Sequence, residues 1–230
     1  MSPTAHHQHH HHHADAAENP GAAWDQRYTE VTWSGEPDQT MVELVGDLPP
    51  GTALDVGGGT GRNALWLASR GWAATIVDAS AVGLDQATRR AGDLGLSVAC
   101  ELADLREWRP RRVYDLVVVA NIHMPPENRE WLFASVREAV APGGYLYVVG
   151  HHIEALGLAG PPDPRSLYTE EILTRLVSGL RIEQLRRVTH RADHGDVGMD
   201  VALLARRDPA DVDQGDTAHG DTAHGDTDPA

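Results

Sequence analysis

A short apolar run, Ala53 to Val56, carries Asp55 and breaks into glycines at positions 57, 58, 59 and 61, and a helical pattern begins at once. No other stretch constrains the chain so tightly. Glycine adopts positive φ and has no Cβ, so a ligand can approach the backbone closely at such a turn. The helix behind it aims free N–H groups and the positive end of its dipole at that ligand. Seventeen residues after Gly61 the run AATIV ends in Asp78, a second acid at a strand end. In α/β sheets, a glycine turn followed by a carboxylate at the next strand end holds a nucleoside-bearing cofactor.

Two cofactors compete for that turn. Gly59 to Ala64 fits the dinucleotide pattern G-x-G-x-x-A, with Asp78 where a ribose-binding acid belongs. The longer pattern D-x-G-x-G-x-G, formed by Asp55, Gly57, Gly59 and Gly61, resembles motif I of class I S-adenosylmethionine methyltransferases. The resemblance continues in order along the chain. VDAS (Val77 to Ser80) resembles the ribose-binding strand end of that family, and LADL (Leu102 to Leu105) its adenine-contacting segment. YDLVVVAN (Tyr114 to Asn121) is similar to its fourth strand, and APGG (Ala141 to Gly144) to the turn before its fifth. Together these cover roughly Trp24 to Arg207. GRNALWLASRGW and the upstream WDQRY (Trp24 to Tyr28) resemble small bacterial enzymes related to the tellurite-resistance methyltransferase. Gly58 departs from that pattern, since many relatives carry Cys there. The exchange is expected to matter little if the position contributes only backbone.

The resemblance implies an α/β fold, a Rossmann-like three-layer sandwich with a mostly parallel seven-stranded sheet and a terminal antiparallel hairpin. It implies an enzyme that uses S-adenosylmethionine, releases S-adenosylhomocysteine and methylates a small-molecule acceptor by in-line displacement. A soft nucleophile such as a thiol or chalcogen oxyanion is one candidate, beside carboxylate, hydroxyl or amine. The rivals are an NAD(P)-binding oxidoreductase built on Gly59 to Ala64 and a non-catalytic module that binds S-adenosylmethionine or S-adenosylhomocysteine.

Composition narrows the partners. Net charge is −15 and every basic residue is Arg, a balance that argues against nonspecific nucleic-acid binding. No stretch approaches the roughly 18 uninterrupted apolar residues of a membrane span. Cys100 is the only cysteine, so no internal disulfide forms and a cytoplasmic location is the default. Its place in a strand suggests a buried, inert thiol. Residues 1–21 read as a disordered lead with seven histidines between His6 and His13, metal-chelating or tag-like. Residues 208–230 hold seven Asp and the repeat Gly-Asp-Thr-Ala-His, which gives them no core to bury. Residues 22–207 are left as one methyltransferase domain.

Strands and helices alternate across that domain. Strands are expected at Ala53 to Val56, Ala73 to Asp78, Ser97 to Leu102, Asp115 to Ala120, Tyr145 to Val149, Arg181 to His190 and Met199 to Ala205. Helices are expected near Arg62 to Arg70, Ala81 to Ala91, Asn128 to Val140 and Thr169 to Ser178. Only eight residues separate the last two strands, too few for a crossover helix, so they should pair antiparallel.

The resemblance assigns cofactor contacts to Asp55, Gly57, Gly59, Gly61, Asp78, Ala79, Asp104, Leu105 and Asn121. Asp55 would lie near the ammonium, Asp78 at the ribose, and Asp104 with the Leu105 backbone at the adenine. Arg27 would pair with the cofactor carboxylate if WDQRY closes over the site, with Trp24 and Trp33 as lid aromatics. His123 follows the fourth strand, and His151 and His152 follow the fifth. All three are candidate catalytic residues at the ligand edge of the sheet, with Tyr168 next in line. The chemistry requires no metal.

Overall fold

The computed structural model describes residues 20–158, 160–191 and 197–209. The His-rich lead and the acidic repeats beyond Pro209 lie outside the described residues. The strands are β1 (Thr52–Val56), β2 (Ala73–Asp78), β3 (Ala99–Leu102), β4 (Tyr114–Ala120), β5 (Val140–His151), β6 (Arg181–Arg191) and β7 (Val197–Arg206). The α-helices are α1 (Pro20–Glu30), α2 (Gln39–Val45), α3 (Arg62–Ser69), α4 (Ala81–Asp93), α5 (Pro126–Ala139) and α6 (Glu170–Leu176). One sheet contains all seven strands in the order β3-β2-β1-β4-β5-β7-β6. Strands β1 to β5 pair in parallel, and β7 runs antiparallel to both β5 and β6. This is the expected Rossmann-like sandwich with its terminal hairpin.

Alternation along the central strands divides the core between the two faces of the sheet. Leu54 and Val56 of β1, Val117 and Val119 of β4, and Leu146 and Val148 of β5 join Phe133 of α5 and Leu173 of α6 in one cluster. The intervening Ala53, Leu116, Val118, Tyr147 and Val149 face the other way, against Met41 and Val45 of α2 and Leu67 of α3. A smaller cluster links Ala64 of α3, Ile76 of β2, and Leu84 and Ala87 of α4. Neighbouring strands leave in opposite directions between β1 and β4, so a crevice opens at their carboxyl ends.

Two expectations need correction. β5 starts at Val140 rather than Tyr145, because Tyr114 pairs with Val140 across a bulge. Backbone bonds between Gly143, Gly144 and Arg207 (3.0 and 2.9 Å) then carry the strand through Pro142. Cys100 is exposed rather than buried. It lies on β3, which ends the sheet and pairs only with β2.

The segment before β1 is fastened by one carboxylate. Asp38 caps α2 by accepting from the Met41 N–H at 2.8 Å, and its own N–H donates to Asn63 Oδ1 at 2.9 Å. The same Asp38 oxygen accepts from the buried Tyr147 hydroxyl at 2.7 Å. Asp38→Ala should lose about 2–4 kcal/mol of stability in urea unfolding, since it removes a cap and orphans a buried hydroxyl. Tyr147→Phe should lose about 1 kcal/mol, because it leaves the cap in place.

Candidate active site

The glycine turn joins β1 to α3 with Gly57, Gly59 and Gly61 at φ values of 66°, 52° and 82°. Side chains are unwelcome there for steric reasons too. A Cβ on Gly57 would run into Ile122, and one on Gly59 into the Tyr28 ring. A Cβ on Gly58 would sit 2.7 Å from the Asp55 carboxylate and 2.9 Å from Ile76. The expectation that an exchange of Gly58 for Cys matters little is therefore corrected: a side chain there presses on Asp55 and Ile76.

Two buried carboxylates tie the turn down. Asp78, at the end of β2, accepts from the Gly59 N–H at 2.9 Å through one oxygen and from the Ser80 N–H at 2.8 Å through the other. Asp55, 2% exposed, accepts from the Ala64 N–H at 3.2 Å in the first turn of α3. Its other oxygen, Oδ1, is buried with no hydrogen-bond partner among the described residues. Burial pushes Asp55 up to about 7, against the backbone bond from Ala64 and the charge of Arg62. Burial raises Asp78 as well, opposed by its backbone bonds.

Helix α1 lies over this floor. Asp25 accepts from the Ser80 hydroxyl at 2.6 Å and the Val82 N–H at 3.0 Å, so it reaches the N-terminus of α4 that Ser80 caps. Gln86 donates to the Tyr28 carbonyl at 3.0 Å. Trp24, Tyr28 and Trp33 form a ring cluster with centroids 5.6–6.2 Å apart. The Arg27 guanidinium lies 5.4 and 5.5 Å from the two indole centroids.

The remaining predicted residues divide between cleft and frame. Ala79 lines the cleft, and Leu105 packs into the core beneath Gly57. Asp104 lines it too, but its carboxylate is clasped by Arg106 at 2.6–3.1 Å, which holds it below the usual carboxylate range. Asn121 ends β4 at φ 59°, the one non-glycine residue with positive φ among the described residues, and its Oδ1 is buried without a hydrogen-bond partner. Asparagine is among the few non-glycine residues that adopt this region readily.

The three histidines part company. His123 stacks on His151 at 4.7 Å, with Nε2 accepting from the His151 N–H at 3.0 Å and a further bond to the Asn121 backbone. Burial, then the neighbouring His151, lower it to about 4. His151 Nδ1 lies 2.8 Å from Asp200 Oδ1. His152 does not join them: it is 2% exposed, bonded to Glu170 at 3.2 Å, and it caps the short turn after β5. Successive strand residues point to opposite faces, so His152 is a frame residue. Tyr168 is buried and donates to the Ile122 carbonyl at 2.6 Å. Sequence reasoning missed Asp25, Tyr28, Asn63 and Asp200. The first two stand in or beside the quoted WDQRY, whereas no local pattern marks the last two.

One cleft of about 1450 Å³ takes in the turn, both strand-end acids, the aromatic cluster, Asn121, His123, His151 and Asp200. Among the described residues, no group of three His, Cys, Asp or Glu is arranged to hold a metal ion. No helix among them is long and apolar enough to cross a membrane.

Sheet order, glycine turn and paired strand-end acids are those of a Rossmann-like α/β domain with a cleft at the carboxyl ends of its central strands. Residues 53–144 match the family model described as a methyltransferase domain. A curated relative, 2-heptyl-1-hydroxyquinolin-4(1H)-one methyltransferase of Mycobacteroides abscessus, is 31% identical over 135 residues. That alignment covers 56% of this chain and 60% of the relative, so the chain spans well under two thirds of its length. A solved structure described as converting a disulfide bond into a thioacetal group during echinomycin biosynthesis superposes with a TM-score of 0.69. It shares 22% identity and covers 84% of this chain and 93% of its own. TehB from Haemophilus influenzae gives a TM-score of 0.64 at 18% identity, covering 81% and 66%. Both structures share the fold.

Stability should record the buried acid. The folded value of Asp55, about 7, stands above its ordinary 3.8. The folded state therefore holds the extra proton between about pH 4 and 7, and the contribution of Asp55 to stability falls as pH rises through that window. His123 works the other way in the same window, since its folded value is below its ordinary 6.5. The difference between variants isolates the acid. Urea unfolding of Asp55→Asn against wild type should favour the variant increasingly from pH 4 to 7, and a flat difference would contradict the assignment.

Proposed function

We propose that this chain transfers the methyl group of S-adenosylmethionine to a small planar acceptor that carries a hydroxyl, with residues 22–207 as the working domain. The observation that carries the reading is the cleft at the carboxyl ends of the central strands, whose two halves have different chemistry. Its volume, about 1450 Å³, exceeds the roughly 300–1,000 Å³ of a one-ligand pocket. The floor beneath α1 suits a nucleoside with an amino-acid tail, and the space toward Asn121, His123 and His151 leaves room for a second, flat ligand. The substrate of the quinolone-modifying relative has both properties, a fused ring and an N-hydroxyl. The net charge of −15 makes nucleic acid a poor acceptor.

The residues present fit the cofactor. Asp55 Oδ1 is a buried acceptor atom in need of a donor, which an ammonium group supplies. Asp78 would take the ribose hydroxyls, and Ala79, Asp104 and Leu105 would border the adenine. Gly57, Gly59 and Gly61 shape the backbone against the methionine end. Arg27, steadied by two indoles, would meet the cofactor carboxylate. Asn121 would stand between cofactor and acceptor. Bound S-adenosylmethionine supplies a methyl carbon already activated by a sulfonium. The protein's part is to align the acceptor with it and to exclude water beneath α1. A cytoplasmic location accompanies this reading.

Calorimetry with S-adenosylmethionine and with NAD tests the cofactor, and mass spectrometry of 2-heptyl-1-hydroxyquinolin-4(1H)-one incubated with enzyme and cofactor tests the acceptor class. Asp78→Ala should weaken S-adenosylmethionine by about 1.5–3 kcal/mol. Asp104→Ala should weaken it less, because Arg106 already engages that carboxylate. Gly59→Val should abolish binding, since it strains the turn and displaces Tyr28. Tighter binding of NAD, or S-adenosylmethionine affinity in Gly59→Val within about threefold of wild type, roughly 0.7 kcal/mol, would defeat the reading.

A further inference from the structure

Strand register brings together two residues that lie 49 positions apart in the chain. His151 ends β5, and Asp200 is its direct partner on antiparallel β7. The imidazole Nδ1 meets the carboxylate Oδ1 at 2.8 Å, and the two side chains are 18% and 10% exposed. Both line the cleft on the side away from the buried acids of the turn.

Resting on the methyltransferase reading, we propose that His151 is the proton acceptor for a hydroxyl-bearing acceptor, that Asp200 is its positioning residue, and that His123 is a neutral platform. A carboxylate on Nδ1 selects the tautomer with the proton there, which makes Nε2 the basic nitrogen. Adjacent His123 is fitted for the opposite role. One of its ring nitrogens accepts from the His151 backbone and it bonds to the Asn121 backbone as well, so its ring is engaged by main chain. It lies 8° from parallel to the His151 ring and fixes that ring's plane. Gly150 leaves the space for this, because a Cβ there would meet the Tyr168 ring at 2.6 Å and His123 Nε2 at 3.3 Å. The two imidazoles are equivalent in sequence, and the structure gives a carboxylate to one of them.

The transfer balances as follows. The acceptor O–H bond breaks and its proton passes to Nε2 of His151. The oxygen electron pair forms the bond to the methyl carbon, while the methyl–sulfonium bond breaks and its electrons remain on sulfur. The imidazolium charge is offset by Asp200, and the proton leaves to water. An acceptor that is already ionised would gain nothing from the pair, so the dyad points to hydroxyl or N-hydroxyl acceptors.

Long-range ¹H–¹⁵N spectra of histidine-labelled protein report the tautomer directly, and His151→Gln assigns the signal. His151 should carry its proton on Nδ1 in wild type and shift toward the Nε2–H form in Asp200→Asn, whose amide offers an N–H to Nδ1. An Nε2–H tautomer in wild type overturns the dyad, whether or not the quinolone is methylated. In turnover of the N-hydroxyquinolone, Asp200→Asn should lower kcat about 10–100-fold with KM and S-adenosylmethionine affinity within about threefold of wild type. His151→Ala should lower kcat by about 10²–10⁴, with part restored by added imidazole. Unchanged kcat in both variants overturns the proposal while leaving the methyltransferase reading intact. Absence of S-adenosylmethionine binding by wild type overturns that reading instead.

Discussion

Hydrogen bonds from backbone N–H groups to the buried carboxylates of Asp55 and Asp78 hold the centre of this molecule in shape. The Gly59 N–H to Asp78 and the Ala64 N–H to Asp55 lock the turn to β2 and α3 to β1. Without them, three glycines at positive φ would leave the turn free among many conformations. Two acids in so little water are an expensive way to fix a loop, and burial raises both. Bonds from the main chain make the arrangement tolerable, and an unpartnered carboxylate oxygen leaves one polar requirement for a ligand to meet.

The rest of the cleft is arranged around that floor. Ser80 is held by Asp78 and by Asp25, so the end of β2, the start of α4 and the helix above them share one polar junction. On the far side, β7 lies between β5 and β6 in the opposite direction, which sets Asp200 against His151. A parallel neighbour would set its carboxyl end beside His151, whereas antiparallel β7 brings residues near its amino end.

What could be read in advance follows from how far each signal reaches. Glycine-turn chemistry is local, so Asp55, the glycines and Asp78 were legible, as were β2 and the antiparallel final pair. β5 was read too short because Pro142-Gly143-Gly144 looks like a stop, and only pairing with distant Arg207 extends the strand. Cys100 looked buried because strand character says nothing about whether a strand ends a sheet. The histidines could not be ranked from sequence, since the choice between them lies in register with β7. Gly58 looked neutral because the reach of Asp55 beneath it is a tertiary fact.

Helix α1 has no buried residue, and its ties to the turn and to α4 are hydrogen bonds to Asp25 and from Gln86 together with the Tyr28 ring, which packs over Gly59 and Gly83. None of the three apolar clusters contains a residue of α1, so the core does not depend on this helix. Speed of exchange and durability of the scaffold are thereby placed in separate hands. Under the proposed function, substitutions that loosen Asp25 would change how long a spent nucleoside lingers while leaving the apolar clusters whole. A lineage of such proteins could retune its working tempo at the door and leave the building untouched.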